Sequence, residues 1–257
     1  MVRNPIVLAT DFGHSAYVGV MKGVIATIAP GAQVIDLTHD ISPQDVIEGL
    51  WHLRAALPYF PKGSIFVAVV DPGVGGARRP ICVDGGDVLA VGPDNGILAF
   101  IPAEQRRAIY AIEDEKYILH PKSAAFHGRD FFAPAAAHLA NGVDPAQLGP
   151  REDNIVELPW SFPRPVADGL EGAVIFVDRF GNLITNIEGA RVPPGALVTL
   201  EKTLIGAPRQ RYSDVEPGRP LALIGSSGFI EIALRNGSAH SALRLGKGAR
   251  VHIRGAQ

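Results

Sequence analysis

The sequence predicts an α/β protein: an N-terminal domain with a mixed, mostly parallel sheet flanked by helices, and a smaller antiparallel all-β C-terminal domain. Three observations predict this. Two strand–helix units open the chain, a continuous β-branched strand follows them, and beyond Gly169 only short strands separated by turn residues remain. The expected division is residues 1–150 for the α/β domain, 151–169 for a linker and 170–257 for the β domain.

Ile6-Val7-Leu8-Ala9 reads as the first strand and ends in Thr10-Asp11-Phe12-Gly13. After it, Tyr17, Met21, Val24 and Ile28 recur at helical spacing and are expected on one inward face, until Pro30-Gly31 stops the helix. Val34–Leu37 returns as a strand. Ser42-Pro43, with Asp45 three residues after Ser42, opens a second helix carrying Val46, Leu50, Leu53 and Leu57 inward. Ser64–Val70 is read as the third strand, apolar from Ile65 onward, as a strand buried on both faces of a parallel sheet requires. It stops at Asp71, followed by Pro72-Gly73-Val74-Gly75-Gly76 and the pair Arg78-Arg79. Ligands of open α/β sheets bind at the carboxyl ends of strands, which places Asp71 at a crevice lip, although Asp71-Pro72-Gly73 is also an ordinary turn sequence.

Ile81–Asp84 and Val88–Val91 flank Gly85-Gly86 as a hairpin, which makes the sheet mixed. A short strand is expected near Ala108–Ile112, and a helix from about Arg129 to Ala140, ended by Asn141-Gly142. Phe126-His127-Gly128 stands just before that helix. Pro159, Pro163 and Pro165 mark the linker. Strands are then expected at Ala173–Val177, Leu197–Leu200, Leu221–Ile224, Phe229–Leu234 and Arg250–Ile253.

A chain of 257 residues with 47% hydrophobic and 19% charged residues can bury a sizeable core. Its net charge of −2 and pI near 6.4 give no electrostatic reason to expect nucleic acid or an anionic membrane as partner. Cys82 is the single cysteine and suits a small buried side chain. Polar residues at Asp11, His14 and Lys22 interrupt any signal-peptide pattern, and no run of 18 apolar residues exists, so cytoplasmic residence is the expectation. There is no His-x-x-x-His or His-Glu-x-x-His spacing. Thr38-His39-Asp40 comes nearest to a ligand cluster and is equally a polar loop, so no metal is expected. Dinucleotide, Walker and Gly-x-Ser-x-Gly patterns are also missing.

The residues that could carry chemistry end strands or open helices. Asp71, Arg78 and His127 combine an acid, a guanidinium and an imidazole able to orient and deprotonate a water. Each taken singly is also explained as a turn, surface or structural residue. In the C-terminal half, Asp178-Arg179-Phe180-Gly181-Asn182 offers an amide that can pair with a purine edge and a ring that can stack on it, or else a plain hairpin turn. Gly225-Ser226-Ser227-Gly228-Phe229-Ile230-Glu231 supplies amides and hydroxyls in a loop.

Six motifs in this order are specific together: Thr10–Gly13, Val70–Gly75 with Arg78, Gly92–Gly96, Phe126–Asp130, Asp178–Asn182 and Ser226–Phe229. Over essentially its whole length the chain resembles the S-adenosyl-L-methionine hydrolases, or SAM hydroxide adenosyltransferases, relatives of the fluorinase and chlorinase. The resemblance implies attack of water or hydroxide on ribose C5′ of S-adenosylmethionine, giving adenosine and L-methionine without a cofactor. It also implies a homotrimer with the site between neighbouring subunits. By the same resemblance Asp71, Arg78 and His127 activate water, with the base either Asp71 or His127. Asp11 would hold the ribose hydroxyls and Asp178 the methionine amino group. Phe180, Asn182 and the Ser226–Ala233 segment, with Ser227 and Glu231, would form the adenine side. The halide-using relatives carry a tyrosine at the place of Asp71. A chlorinase-like transferase and a non-catalytic adenosine sensor are the competing readings.

Overall fold

The computed structural model describes residues 4–158 and 162–255. Its first sheet is built from β1 (Ile6–Thr10), β2 (Val34–Thr38), β3 (Ile65–Val69), β4 (Pro80–Asp84), β5 (Leu89–Pro93), β6 (Ala108–Ala111) and β7 (Arg151–Glu152). The spatial order is β2-β1-β3-β5-β4-β6-β7. β2, β1, β3 and β5 run parallel, and the strand pairs β5–β4, joined by the hairpin at Gly85-Gly86, β4–β6 and β6–β7 are antiparallel. This is the mixed, mostly parallel sheet that the sequence predicts. β1 and β3, the two continuous apolar runs, are buried along their entire length because they occupy the interior of the parallel half.

Helices α1 (Ala16–Ile28) and α3 (Ala133–Ala140) cover one face of this sheet, setting Met21, Ile25, Ala133 and Ala137 against Ile6, Leu8 and Val67. α1 is rotated from its expected setting. Val18, Met21 and Ile25 are its buried residues, while Tyr17 is 54% exposed. Helix α2 (Val46–Ala56) is capped by Asp45, whose carboxylate accepts from the Glu48 amide, rather than by Ser42. The helix expected from Arg129 begins as a single π-helical turn, Gly128–Phe132, before α3 takes over. Gly142, at φ +90°, ends it as expected.

Three loops leave the carboxyl edge of the parallel half together. Thr10 at the end of β1 is in register with Val69 at the end of β3, and Ala9 with Thr38 at the end of β2. The segments beginning at Asp11, His39 and Val70 are therefore neighbours, although they are about thirty residues apart along the chain.

The chain folds as two units, Met1–Glu157 and Leu158–Gln257. The second is an antiparallel sheet of β8 (Arg164–Val166), β9 (Gly169–Val177), β10 (Leu183–Glu188), β11 (Leu197–Leu200), β12 (Thr203–Gly206), β13 (Pro220–Ile224), β14 (Phe229–Leu234) and β15 (Arg250–Arg254). The order is β12-β11-β15-β9-β10-β14-β13, with β8 on β9. Val174, Leu183, Ile187, Val198, Ile230, Ile232 and Val251 form its core. β10 and β12 escape the sequence reading. β10 carries buried Thr185 and Asn186, which break the apolar pattern and are satisfied across the sheet by the Ile230 carbonyl and the Ala173 amide. The stretch expected as a linker, 151–169, supplies β7 to the first sheet and β8 to the second. Pro159 lies outside the described residues.

Candidate active site

Asp71 follows β3 directly, and Arg78 returns to it across the Pro72–Ala77 turn. Arg78 Nε donates to Asp71 Oδ1 at 3.0 Å, and Nη2 donates to Oδ2, making the pair bidentate. Their side chains are only 6% and 9% exposed. The same Nη2 lies 2.7 Å from Nδ1 of His127, the residue before the π-helical turn. A guanidinium N–H can only donate, so Nδ1 must present its lone pair. Arg78 Nη1 is buried and has no partner among the described residues.

His127 is held neutral. Burial pushes its pKa below the ordinary 6.5, and the adjacent Arg78 charge pushes the same way against the weaker pull of Asp71 and Asp130. A neutral imidazole whose Nδ1 accepts carries its proton on Nε2. Phe131 packs on the ring at 4.6 Å, and the Arg78 guanidinium lies 5.6 Å from the Phe132 ring.

Asp11, Asp71 and His127 line one pocket of about 390 Å³. Phe12, Tyr17 and Phe126 form its aromatic wall, with centroids 4.9–5.9 Å apart. Asp11 Oδ2 accepts from the Gln44 amide at 2.8 Å, which anchors that carboxylate at the rim. Tyr17 and Phe126 are lining residues that the sequence reading assigned no role. The helical period of Tyr17 suggested the core, and only its place in the first turn of α1, beside the Asp11 loop, hinted otherwise.

In the second unit, Asp178 closes its own loop. Its Oδ1 accepts from the amides of Phe180 and Asn182, and its Oδ2 accepts from Asn182 Nδ2 at 2.9 Å. Phe180, 78% exposed, and the buried Asn182 line a second pocket with Tyr212 and Leu234. Tyr212, which no motif in the chain marks out, donates its hydroxyl to Glu231 on β14. Burial raises the Glu231 pKa and the Asp178 charge adds to it, while the Tyr212 hydrogen bond opposes them. Ser226 and Ser227 stand in the turn between β13 and β14 and do not line this pocket. The Ala233 methyl is fully buried against Leu221 and Leu223, so that side chain faces the interior.

No helix among the described residues is long and apolar enough to cross a membrane. Residues 6–149 match the SAM hydroxide adenosyltransferase N-terminal domain, and residues 172–252 match the C-terminal domain of the same family. The (R)-S-adenosyl-L-methionine hydrolase of Thermus thermophilus is 42% identical, over 97% of this chain and 99% of that protein. The enzyme of the same name from Salinispora tropica is 38% identical, over 96% of this chain and 97% of its own length. A crystal structure of an uncharacterized conserved protein from Thermotoga maritima superposes with a TM-score of 0.89 at 34% identity, covering 97% of this chain and 100% of that one. With two domain models matched in order and full-length relatives well above 30% identity, the chain belongs to the SAM hydroxide adenosyltransferase family.

Proposed function

We propose that this protein hydrolyses S-adenosyl-L-methionine to adenosine and L-methionine, acting on the (R) sulfonium epimer that its relatives are named for. The observation that carries the reading is Arg78 joining Asp71 and His127 at the wall of one pocket, in a chain of this family.

Water attacks ribose C5′ opposite sulfur. The C5′–O bond forms, the C5′–S bond breaks, and its electron pair neutralises the sulfonium as the methionine thioether. A sulfonium leaves readily, so the protein's task is to place the oxygen in line, a contribution of up to roughly 7–11 kcal/mol. The water proton becomes acidic as the C–O bond forms, so a carboxylate is base enough, and Asp71 takes it. His127 offers its Nε2–H to the water oxygen, because its Nδ1 lone pair is engaged by Arg78. Arg78 holds both partners and stabilises charge on the entering oxygen. Phe12, Tyr17 and Phe126 suit a sulfonium, since aromatic faces attract cations. A carboxylate at the attack site repels halide ions. Asp11 grips the ribose diol, Asp178 the methionine ammonium, and Phe180, Asn182 and the Ser226–Ala233 segment the adenine. The resemblance that supports these roles also supports a homotrimer with the site between subunits, and residence in the cytoplasm. The reaction so written needs no cofactor.

The test is chromatography of each purified sulfonium epimer after incubation with the enzyme, with and without chloride. Adenosine and methionine in equal amounts, formed faster from the (R) epimer, are expected. A chloride-dependent 5′-chloro nucleoside would replace the hydrolase by a halide transferase, and binding without turnover would replace it by a sensor.

A further inference from the structure

His39, the centre of the Thr38-His39-Asp40 cluster, belongs to no potential metal-ligand group among the described residues and takes no part in the proposed chemistry. It does make two separate contacts with the loop that carries Asp11. Its carbonyl accepts from the Gly13 amide at 2.8 Å, and its Nδ1 lies 2.9 Å from the hydroxyl of Thr10, which is fully buried. The Thr10 oxygen accepts in turn from the Phe12 amide at 3.2 Å. On the other side of the ring, Nε2 is 3.1 Å from Asp36 Oδ1, close enough to pair but off-line for a good hydrogen bond. Lys22 holds the second oxygen of Asp36 at 2.5 Å.

The directions of these bonds agree with one another. A carboxylate beside Nε2 favours the proton there, which leaves Nδ1 free to accept from the Thr10 hydroxyl. The Thr10 oxygen keeps a lone pair for the Phe12 amide. We infer that His39 is a positioning residue for the substrate pocket: through Thr10 it fixes the Asp11–Phe12 segment, so that the Asp11 carboxylate, tied at one oxygen to the Gln44 amide, presents the other to a ribose diol. The Thr10 hydroxyl is the coupling group, and it is fully buried beside the imidazole.

This inference rests on the pocket being the nucleoside site, and the experiment separates the two ideas. Adenosine and 2′,3′-dideoxyadenosine are titrated by calorimetry into wild type, His39→Ala, His39→Asn, Thr10→Val and the double variant His39→Ala/Thr10→Val, with hydrolysis measured in parallel. Wild type is expected to prefer adenosine. His39→Ala and Thr10→Val should each lower that preference about tenfold, the worth of one well-placed hydrogen bond, and the double variant should lose no more than either alone. His39→Asn, whose amide oxygen reaches the place of Nδ1, should recover most of it. Equal weakening of both nucleosides, additive losses, or no rescue by asparagine would overturn the positioning role. A wild type that neither binds adenosine nor turns over the sulfonium would sink the functional reading, and this assignment with it.

Discussion

Neighbouring arginines with different duties show what a single side chain can settle. Arg78 turns to Asp71 and His127, whereas Arg79 reaches Asp94, Glu152 and the Asn154 carbonyl and braces the sheet around β4 and β7. Asp71→Asn keeps the shape but removes the proposed proton acceptor, so kcat should fall at least about a hundredfold while adenosine affinity changes little, measured by stopped assay and calorimetry. His127 predicts a pH dependence of definite sign. Its pKa lies below the ordinary 6.5, so it is neutral at pH 7 and gains a proton only as the pH falls beneath that value. The imidazolium has no lone pair for Arg78 and sets two positive charges side by side. Activity should therefore be full above pH 6.5 and decline on the acid side, in a limb that His127→Asn abolishes. Stability follows the same direction: the contribution of neutral His127 is complete above the unfolded value and is lost as the pH drops through the lower folded one.

At the scale of the element, two loops rather than any helix or strand bring the triad together. Gly75, at φ +75°, is the point where the Asp71–Arg78 turn touches the segment before His127, and a Cβ there would sit 2.2 Å from the Ala124 carbonyl oxygen. That oxygen is backbone and cannot swing aside. Gly75→Ala should part the two loops and lower kcat/KM by at least about tenfold, and the left-handed backbone adds roughly 1 kcal/mol of strain. Because the turn is exposed and outside the core, the melting temperature should move by no more than a few degrees, which a thermal scan run beside the kinetic assay would show. An unchanged kcat/KM would mean that the spacing of these loops does not matter to the chemistry. The π-helical turn acts similarly. It places buried Asp130 where it accepts from the Ser123 amide and from Arg129, and so anchors both ends of the His127 loop.

For the molecule as a whole, the two units differ in architecture and carry different groups of polar side chains. The proposed proton-handling set lies in Met1–Glu157, and the Asp178–Asn182 loop with Tyr212 and Glu231 lies in Leu158–Gln257. If the proposed assembly holds, light scattering of the purified protein should give three times the 27.2 kDa chain mass. Phe180 offers a check on function at this scale. An exposed phenylalanine contributes little to the stability of its own unit, so Phe180→Ala should leave the melting temperature nearly unchanged while raising KM about tenfold through lost base stacking.

Much of this was legible along the chain because it depends on neighbours in sequence. The apolar runs of β1 and β3, the Gly85-Gly86 hairpin, the Asn141-Gly142 stop, the placing of Asp11 and Asp71 at loop starts and of His127 just before a helix all follow from local pattern and turn chemistry. Three matters were decided by tertiary structure: which nitrogen of His127 carries the proton, where Tyr17 points, and what His39 holds. Each depends on contacts between segments that are remote in sequence, as with Arg78 and His127, 49 positions apart, or Thr10 and His39, 29 apart. Side-chain periodicity describes one element at a time. The choice of hydrogen-bond partner is made only when the parallel register of β1, β2 and β3 sets their loops side by side.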